Sequence, residues 1–303
     1  MTQISNNPCT NNNPDILSIP LDQLNPQLED LYPSNLNKVN KSQLTRWFYP
    51  KNSPRAYALV THGLNNTPTA MDDLSNFLAK IDIQVLRLTL PGHHGNIEEM
   101  KNINHQEIQK QIYLANALLQ KTKPNQDTPS YFVGNSFGAL SFIDTLLADT
   151  QQTFNYKKFI FLAPAFTPKP IVKLVRLFKI FGGNYIVNSF SHEKFRANRG
   201  TSVNAYETLF KMAKNLAQMN LKKTQHIPSM IYLDPKDELI GQKQLNDFIE
   251  SKNLKKWKVN LITGRVNLKP KGIYHHQVFN KFSLGDKNWN KLIRETTSFL
   301  TLK

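Results

Sequence analysis

Ser136 stands in Gly134-Asn135-Ser136-Phe137-Gly138, with a glycine two positions away on each side. An apolar run, Tyr131–Val133, leads into the pentapeptide, and a helical pattern, Ala139–Leu147, follows it. A serine on such a strand-to-helix turn sits on strained backbone, which pushes its hydroxyl out at the carboxyl end of a sheet. Glycines flank it because strand and helix approach too closely for a Cβ. The helix start also aims free N–H groups and partial positive charge at an oxyanion. The chemistry this suits is nucleophilic attack on a carbonyl.

Such an attack needs a base, a carboxylate to hold the base's tautomer, and two backbone donors for the oxyanion. Phe137, the residue after the serine, offers one donor. The loop Thr61-His62-Gly63-Leu64-Asn65 follows an apolar run, and Leu64 is the best candidate for the second. In sheets of this kind the chain order is serine, acid, histidine. Asp234-Pro235-Lys236-Asp237-Glu238 follows the strand-like Met230–Leu233. Asp237 is preferred as the acid, ahead of Asp234 and Glu238, which also fit as turn formers and solvated charge. Only His275 and His276 lie beyond it, so the base is one of these, with His275 preferred and His276 the alternative.

The elements that must position these groups alternate. Ala56–Thr61, Val85–Leu90, Tyr131–Val133, Phe159–Leu162, Met230–Leu233 and Trp257–Ile262 read as strands. Thr69–Ile81, Ile103–Gln120, Ala139–Leu147, Gln242–Ser251 and Trp289–Leu302 read as helices. This rhythm predicts an α/β fold, with a mostly parallel sheet and helices on both faces. Residues 165–226 interrupt it with helical segments at Ile171–Phe181 and Ser202–Met219 and no convincing strand, as expected of an all-helical cap over the strand ends. The predicted organisation is an Asn- and Pro-rich arm over 1–44, pinned by Ile16, Leu17, Leu21 and Leu24, and a catalytic domain over 45–303.

The chain has 303 residues and a net charge of +16. Residues 151–303 carry 27 basic and 9 acidic side chains, and residues 165–226 alone carry 11 and 2. Lys173, Arg176 and Lys179 recur every third residue among apolar neighbours. Two readings follow: a cap helix packed on the core with a solvated basic stripe, or a lid that meets an anionic membrane surface. Trp257 beside Lys255, Lys256 and Lys258 reads as a basic edge strand, and no nucleic-acid-binding motif is present, so no nucleic-acid partner is expected. His93-His94 lacks a companion metal spacing and reads as a loop at the mouth of the site. No phosphate-binding glycine loop occurs, so no cofactor and no metal are expected. The single cysteine, Cys9, excludes an intramolecular disulfide. The longest apolar run, Phe159–Phe166, is too short to span a bilayer, and no secretory signal is visible, so the expected location is cytoplasmic, with peripheral membrane contact through the cap.

The serine pentapeptide, Thr61–Leu64, the Pro91–Gly95 turn, the acid loop Asp234–Ile240 and the histidine loop Tyr274–Val278 occur in the order of the α/β-hydrolase superfamily. Over about residues 45–303 the chain most resembles its lysophospholipase, monoacylglycerol lipase and carboxylesterase branch. The resemblance implies Ser136 as nucleophile, Asp237 as acid, His275 or His276 as base, Leu64 and Phe137 as oxyanion donors, and a helical cap at 165–226. Asn135 departs from the histidine that many members carry there. The expected activity is hydrolysis of a small-molecule carboxylic ester, with an acyl or lipid substrate, through an acyl-enzyme. An acyl thioesterase and a silent binding protein on the same scaffold are the alternatives.

Overall fold

The computed structural model describes residues 26–33, 36, 39–265 and 272–301. The expected pins Ile16, Leu17, Leu21 and Leu24, together with Cys9, lie outside the described residues, as do 266–271 of the polar stretch before the histidines and the expected helix end at Leu302. The strands, in chain order, are β1 (Arg46–Phe48), β2 (Ala56–Thr61), β3 (Ile83–Leu88), β4 (Ser130–Asn135), β5 (Lys158–Leu162), β6 (Ile186–Asn188), β7 (Gly200–Ser202), β8 (Ser229–Leu233) and β9 (Trp257–Leu261). The helices are α1 (Asp72–Lys80), α2 (Ile97–Lys101), α3 (His105–Thr122), α4 (Ser136–Ala148), α5 (Val203–Gln218), α6 (Lys222–Gln225), α7 (Gln242–Ser251) and α8 (Lys281–Thr301).

Seven strands form one sheet in the order β1-β3-β2-β4-β5-β8-β9. All neighbours are parallel except β1 and β3, which run antiparallel. Every residue of β2, β3 and β4 is buried. Successive strand side chains point to opposite faces, so full burial means both faces are covered. α1 packs on β3, α3 on β2 and β3, and α4 on β4 and β5. Phe132 of β4 and Phe142 of α4 stack with ring centroids 3.5 Å apart. The strand order turns at β2, which has β3 on one side and β4 on the other. Carboxyl ends at such a switch point leave a crevice. The loop after β2 carries Leu64, and β4 ends against Ser136.

The chain leaves the sheet after β5 and rejoins it at β8. This insertion is not all-helical as expected: β6 and β7 pair antiparallel within it. Both are three residues long, too short for an alternating pattern to register. Three-residue β1 escapes the sequence reading for the same reason. The insertion is fastened to the loops at the carboxyl ends of the strands by three isolated bridges, Asn66 with Arg196, Pro168 with Ile240, and Ser191 with Ile273.

Pro170–Phe181 is a 3₁₀ helix rather than an α-helix, and none of its residues is buried. With three residues per turn, positions three apart eclipse one another. One edge is therefore Lys173, Arg176 and Lys179. The next is Ile171, Leu174, Leu177 and Ile180, exposed by 61%, 53%, 69% and 82%. The apolar edge faces solvent rather than the core, while Val172 beside it packs against the core and Arg176 pairs with Glu207 of α5. β9 is an edge strand as the sequence suggests, but Trp257 is buried against Phe161 and Phe166. In the arm, the described 3₁₀ turn Pro26–Leu31 buries Leu28 and Leu31, and Gln111 of α3 donates to the Leu31 carbonyl.

Candidate active site

β4 passes into α4 with no residue between, and Ser136 takes φ 47°. A side-chain-bearing residue pays about 1–3 kcal/mol for that left-handed backbone. The crowding explains the glycines. A Cβ on Gly134 would lie 2.6 Å from the Phe132 ring and 2.8 Å from the Ala139 Cα, and one on Gly138 would strike the His62 carbonyl and Thr61. Asn135 braces the turn: its amide donates to the Leu162 carbonyl at 2.9 Å, and its carbonyl oxygen accepts from Asn66 at 3.0 Å.

The Ser136 hydroxyl donates to His276 Nε2 at 2.8 Å, and His276 Nδ1–H donates to Asp237 Oδ2 at 2.8 Å. The other oxygen of Asp237 accepts from the Leu239 and Ile240 N–H groups at 2.7 and 2.8 Å. The structure thus brings Ser136, His276 and Asp237 together. It does not bring His275, the preferred histidine in the sequence: His275 Nδ1–H donates to Asp234 at 2.7 Å instead. Adjacent residues in an irregular loop point to different sides, and two acids three positions apart serve one histidine each.

The remaining polar groups hold the histidine loop. Glu238 is not merely a solvated charge: its carboxylate accepts from the N–H groups of Tyr274, His275 and His276, each at 2.9 Å. Arg265, with a side chain only 1% exposed, donates to the carbonyls of Tyr274, His275, Gln277 and Ser283 and to Asp234. Sequence reasoning missed Arg265, because a lone arginine in a polar stretch carries no spacing signal. The only hint for Glu238 was its place beside Asp237.

Leu64 lines the same cleft as Ser136, and Phe137 follows the serine in the chain. Phe137 lies in the first turn of α4, where N–H groups lack intrahelical acceptors. The Leu64 loop is held by histidines that do not line the mouth of the site as expected, because His93 and His94 are buried. His93 Nε2 accepts from the Asn65 N–H at 2.8 Å, and its Nδ1–H donates to the Pro91 carbonyl. His62 Nε2 accepts from the Leu90 N–H at 3.0 Å. Both are held neutral: burial, and then each other's proximity, lowers His62 well below its usual value, and burial takes His93 from 6.5 to about 4. Asn198 of the insertion clamps the same loop, exchanging hydrogen bonds with Asn65.

Ser136 and His276 open into a cleft of about 70 Å³ whose apolar walls include Leu64, Val172, Phe190, Leu209, Ile240 and Ile273. None of the described residues lining it is an Asp, Glu, Lys or Arg.

A seven-stranded, mostly parallel sheet with a serine on its strand-to-helix turn defines a hydrolase of the α/β-hydrolase fold. The pattern of one family of this fold, Hydrolase_4, described as serine aminopeptidase S33, matches residues 52–245, and the chain belongs to that family. Among solved structures, a soluble variant of monoglyceride lipase from Saccharomyces cerevisiae shares 13% identity at a TM-score of 0.68, covering 85% of this chain and 91% of that one. A monoacylglycerol lipase of Paleococcus ferrophilus shares 13% at 0.61, with 84% and 98% covered. A structure from work on LipS and LipT, two metagenome-derived lipolytic enzymes, shares 16% at 0.60, with 84% and 96% covered. No curated protein matches the sequence.

Removing Arg265 leaves Asp234 without that charge partner and several carbonyls without a donor. Arg265→Met is therefore expected to cost about 3–5 kcal/mol in urea unfolding. The histidines predict acid lability. Below pH 6.5 the unfolded chain takes up a proton at His93 that the folded chain refuses until about pH 4, so stability falls as pH drops through that window. His93→Gln keeps an acceptor for the Asn65 N–H and is expected to flatten the decline of Tm between pH 6.5 and 4.

Proposed function

We propose that this hydrolase cleaves carboxylic esters with a medium or long acyl chain through an acyl-enzyme. Ser136 Oγ attacks the carbonyl carbon while His276 Nε2 takes its proton. Asp237 fixes the tautomer and stabilises the imidazolium. The N–H groups of Leu64 and Phe137 hold the oxyanion of the tetrahedral intermediate. His276 returns the proton to the leaving alcohol, then takes one from water, whose attack releases the acid and restores Ser136. The observation that carries this reading is the hydrogen-bonded chain Ser136–His276–Asp237 opening into an apolar cleft. An aminopeptidase reading needs a carboxylate for the substrate's ammonium group, and the described cleft lining supplies none.

The insertion, taken as residues 165–226, acts as the cap. The cleft at Ser136, about 70 Å³, is far below the roughly 300–1,000 Å³ of pockets that enclose small-molecule ligands. A long acyl chain therefore enters only when the cap shifts. The solvent-facing edge Ile171, Leu174, Leu177 and Ile180, beside Lys179, suits contact with an anionic lipid surface during that shift. Among the described residues, no helix is long and apolar enough to cross a membrane.

Fluorophosphonate labelling is expected for wild type and absent in Ser136→Ala. With p-nitrophenyl esters, His276→Ala is expected to lower kcat by about 10⁴-fold, and His275→Ala by less than about tenfold. The reverse order would make His275 the base. Rates that fall steadily from acetate to decanoate would remove the long-chain reading, and faster turnover of a matched acyl thioester would move the assignment to a thioesterase. For the lipid surface, Leu177→Ser/Ile180→Ser is expected to reduce co-sedimentation with anionic vesicles while leaving p-nitrophenyl acetate turnover unchanged. Equal sedimentation of both proteins would remove this edge as the contact.

A further inference from the structure

A second cavity lies apart from the one at Ser136. It is an open groove of about 970 Å³ on the other side of α5, a volume of the order that drug-sized ligands fill. α5 and the 3₁₀ helix Pro170–Phe181 each serve both spaces. Tyr206, Leu209 and Val172 line the Ser136 cleft, whereas Thr208, Lys211 and Lys173 line the groove.

The groove combines an apolar lining with cationic side chains. Ile103, Phe166, Phe210 and Ala213 line it as buried side chains. Two cations along it are already paired within the protein. Arg176 pairs with Glu207 at 2.9 Å and lies over the Phe210 ring, and Lys101 pairs with Glu98 at 2.7 Å. Three are not. Lys173 on the 3₁₀ helix, with Lys211 and Lys214 one turn apart on α5, has no hydrogen-bond or ion-pair partner among the described residues, and the same holds for those two. Three like charges around one groove repel one another until an anion joins them. A small inorganic anion would answer the lysines but leave the apolar lining uncovered.

We propose that this groove binds a single-chain anionic amphiphile, with a carboxylate or phosphate head between Lys173, Lys211 and Lys214 and its alkyl chain on Ile103, Phe166 and Phe210. Such a ligand bridges the 3₁₀ helix to α5. The site stands on its own lining and does not require the assignment of Ser136. A fatty acid, the class of product that long-chain ester hydrolysis releases, has this chemistry.

The test is isothermal titration calorimetry on the full chain with decanoate, decyl phosphate, inorganic phosphate and decyltrimethylammonium, each amphiphile below its micelle concentration. Decanoate and decyl phosphate are expected to bind with one-to-one stoichiometry, and the other two to bind at least about tenfold more weakly. Lys173→Gln/Lys211→Gln/Lys214→Gln is expected to weaken the anionic amphiphiles about tenfold or more. The matching Glu variant is expected to abolish their binding. Both variants should keep the wild-type circular dichroism spectrum and p-nitrophenyl acetate turnover, since these exposed lysines touch neither Ser136 nor His276. Unchanged affinity in the Gln variant overturns the proposal. Equal affinity for decyltrimethylammonium reduces the groove to an apolar surface, and equal affinity for inorganic phosphate reduces it to a small-anion site. Amphiphile binding that survives the Glu variant and competes with p-nitrophenyl butyrate places the ligand at Ser136 instead.

Discussion

His276 can face Ser136 only because the irregular chain that carries it is gripped from both sides. One carboxylate, Glu238, gathers three consecutive N–H groups, and one guanidinium, Arg265, gathers carbonyls from the same stretch. A loop with neither helix nor strand has no internal ladder to satisfy its backbone, so its shape is set by whatever charged groups converge on it. Here the guanidinium is buried and the carboxylate half-buried, and away from bulk water each charge-assisted hydrogen bond is strong and its loss is costly. The acid loop therefore does two jobs within five residues. Asp237 meets the imidazole, while Asp234 and Glu238 hold the neighbouring histidine and the loop backbone.

The opposite wall of the site is built by neutral groups. His62 and His93 work as acceptors for backbone N–H groups, a role that protonation would remove. Burial keeps them uncharged. The same loop is clasped from the insertion through Asn198 and the Asn66 to Arg196 bridge. Rigid sheet ends thus supply the serine, and two polar networks of opposite character shape the loops beside it.

The alternation of apolar runs made the sheet legible, since the buried parallel strands carry short apolar stretches such as Ala56–Val60 in β2 and Tyr131–Val133 in β4. The elbow was legible because its glycines answer a steric demand that few other residues meet. What the sequence left open lies in irregular backbone. Nothing in the order of His275 and His276 says which side of a loop each will face. Arg265 acts on carbonyls, which every residue possesses, so its partners leave no trace in side-chain pattern. Short strands such as β6 and β7 fall below the length at which periodicity speaks. The solvent-facing edge of the 3₁₀ helix was hidden for a different reason: the same residues wound at 3.6 per turn would not align so strictly in columns.

The three bridges that fasten the insertion have a consequence for how this protein diversifies. They land on the loop carrying Leu64, on the acid loop and on the histidine loop, so each loop that shapes the chemistry also borders the cap. A cap taken from a relative would arrive without matching partners at all three landing points. Grafting such a cap without the core loops is therefore expected to lose all three bridges, whereas single changes at the side chains of Val172, Phe190 and Leu209, which line the cleft, leave the bridging residues in place.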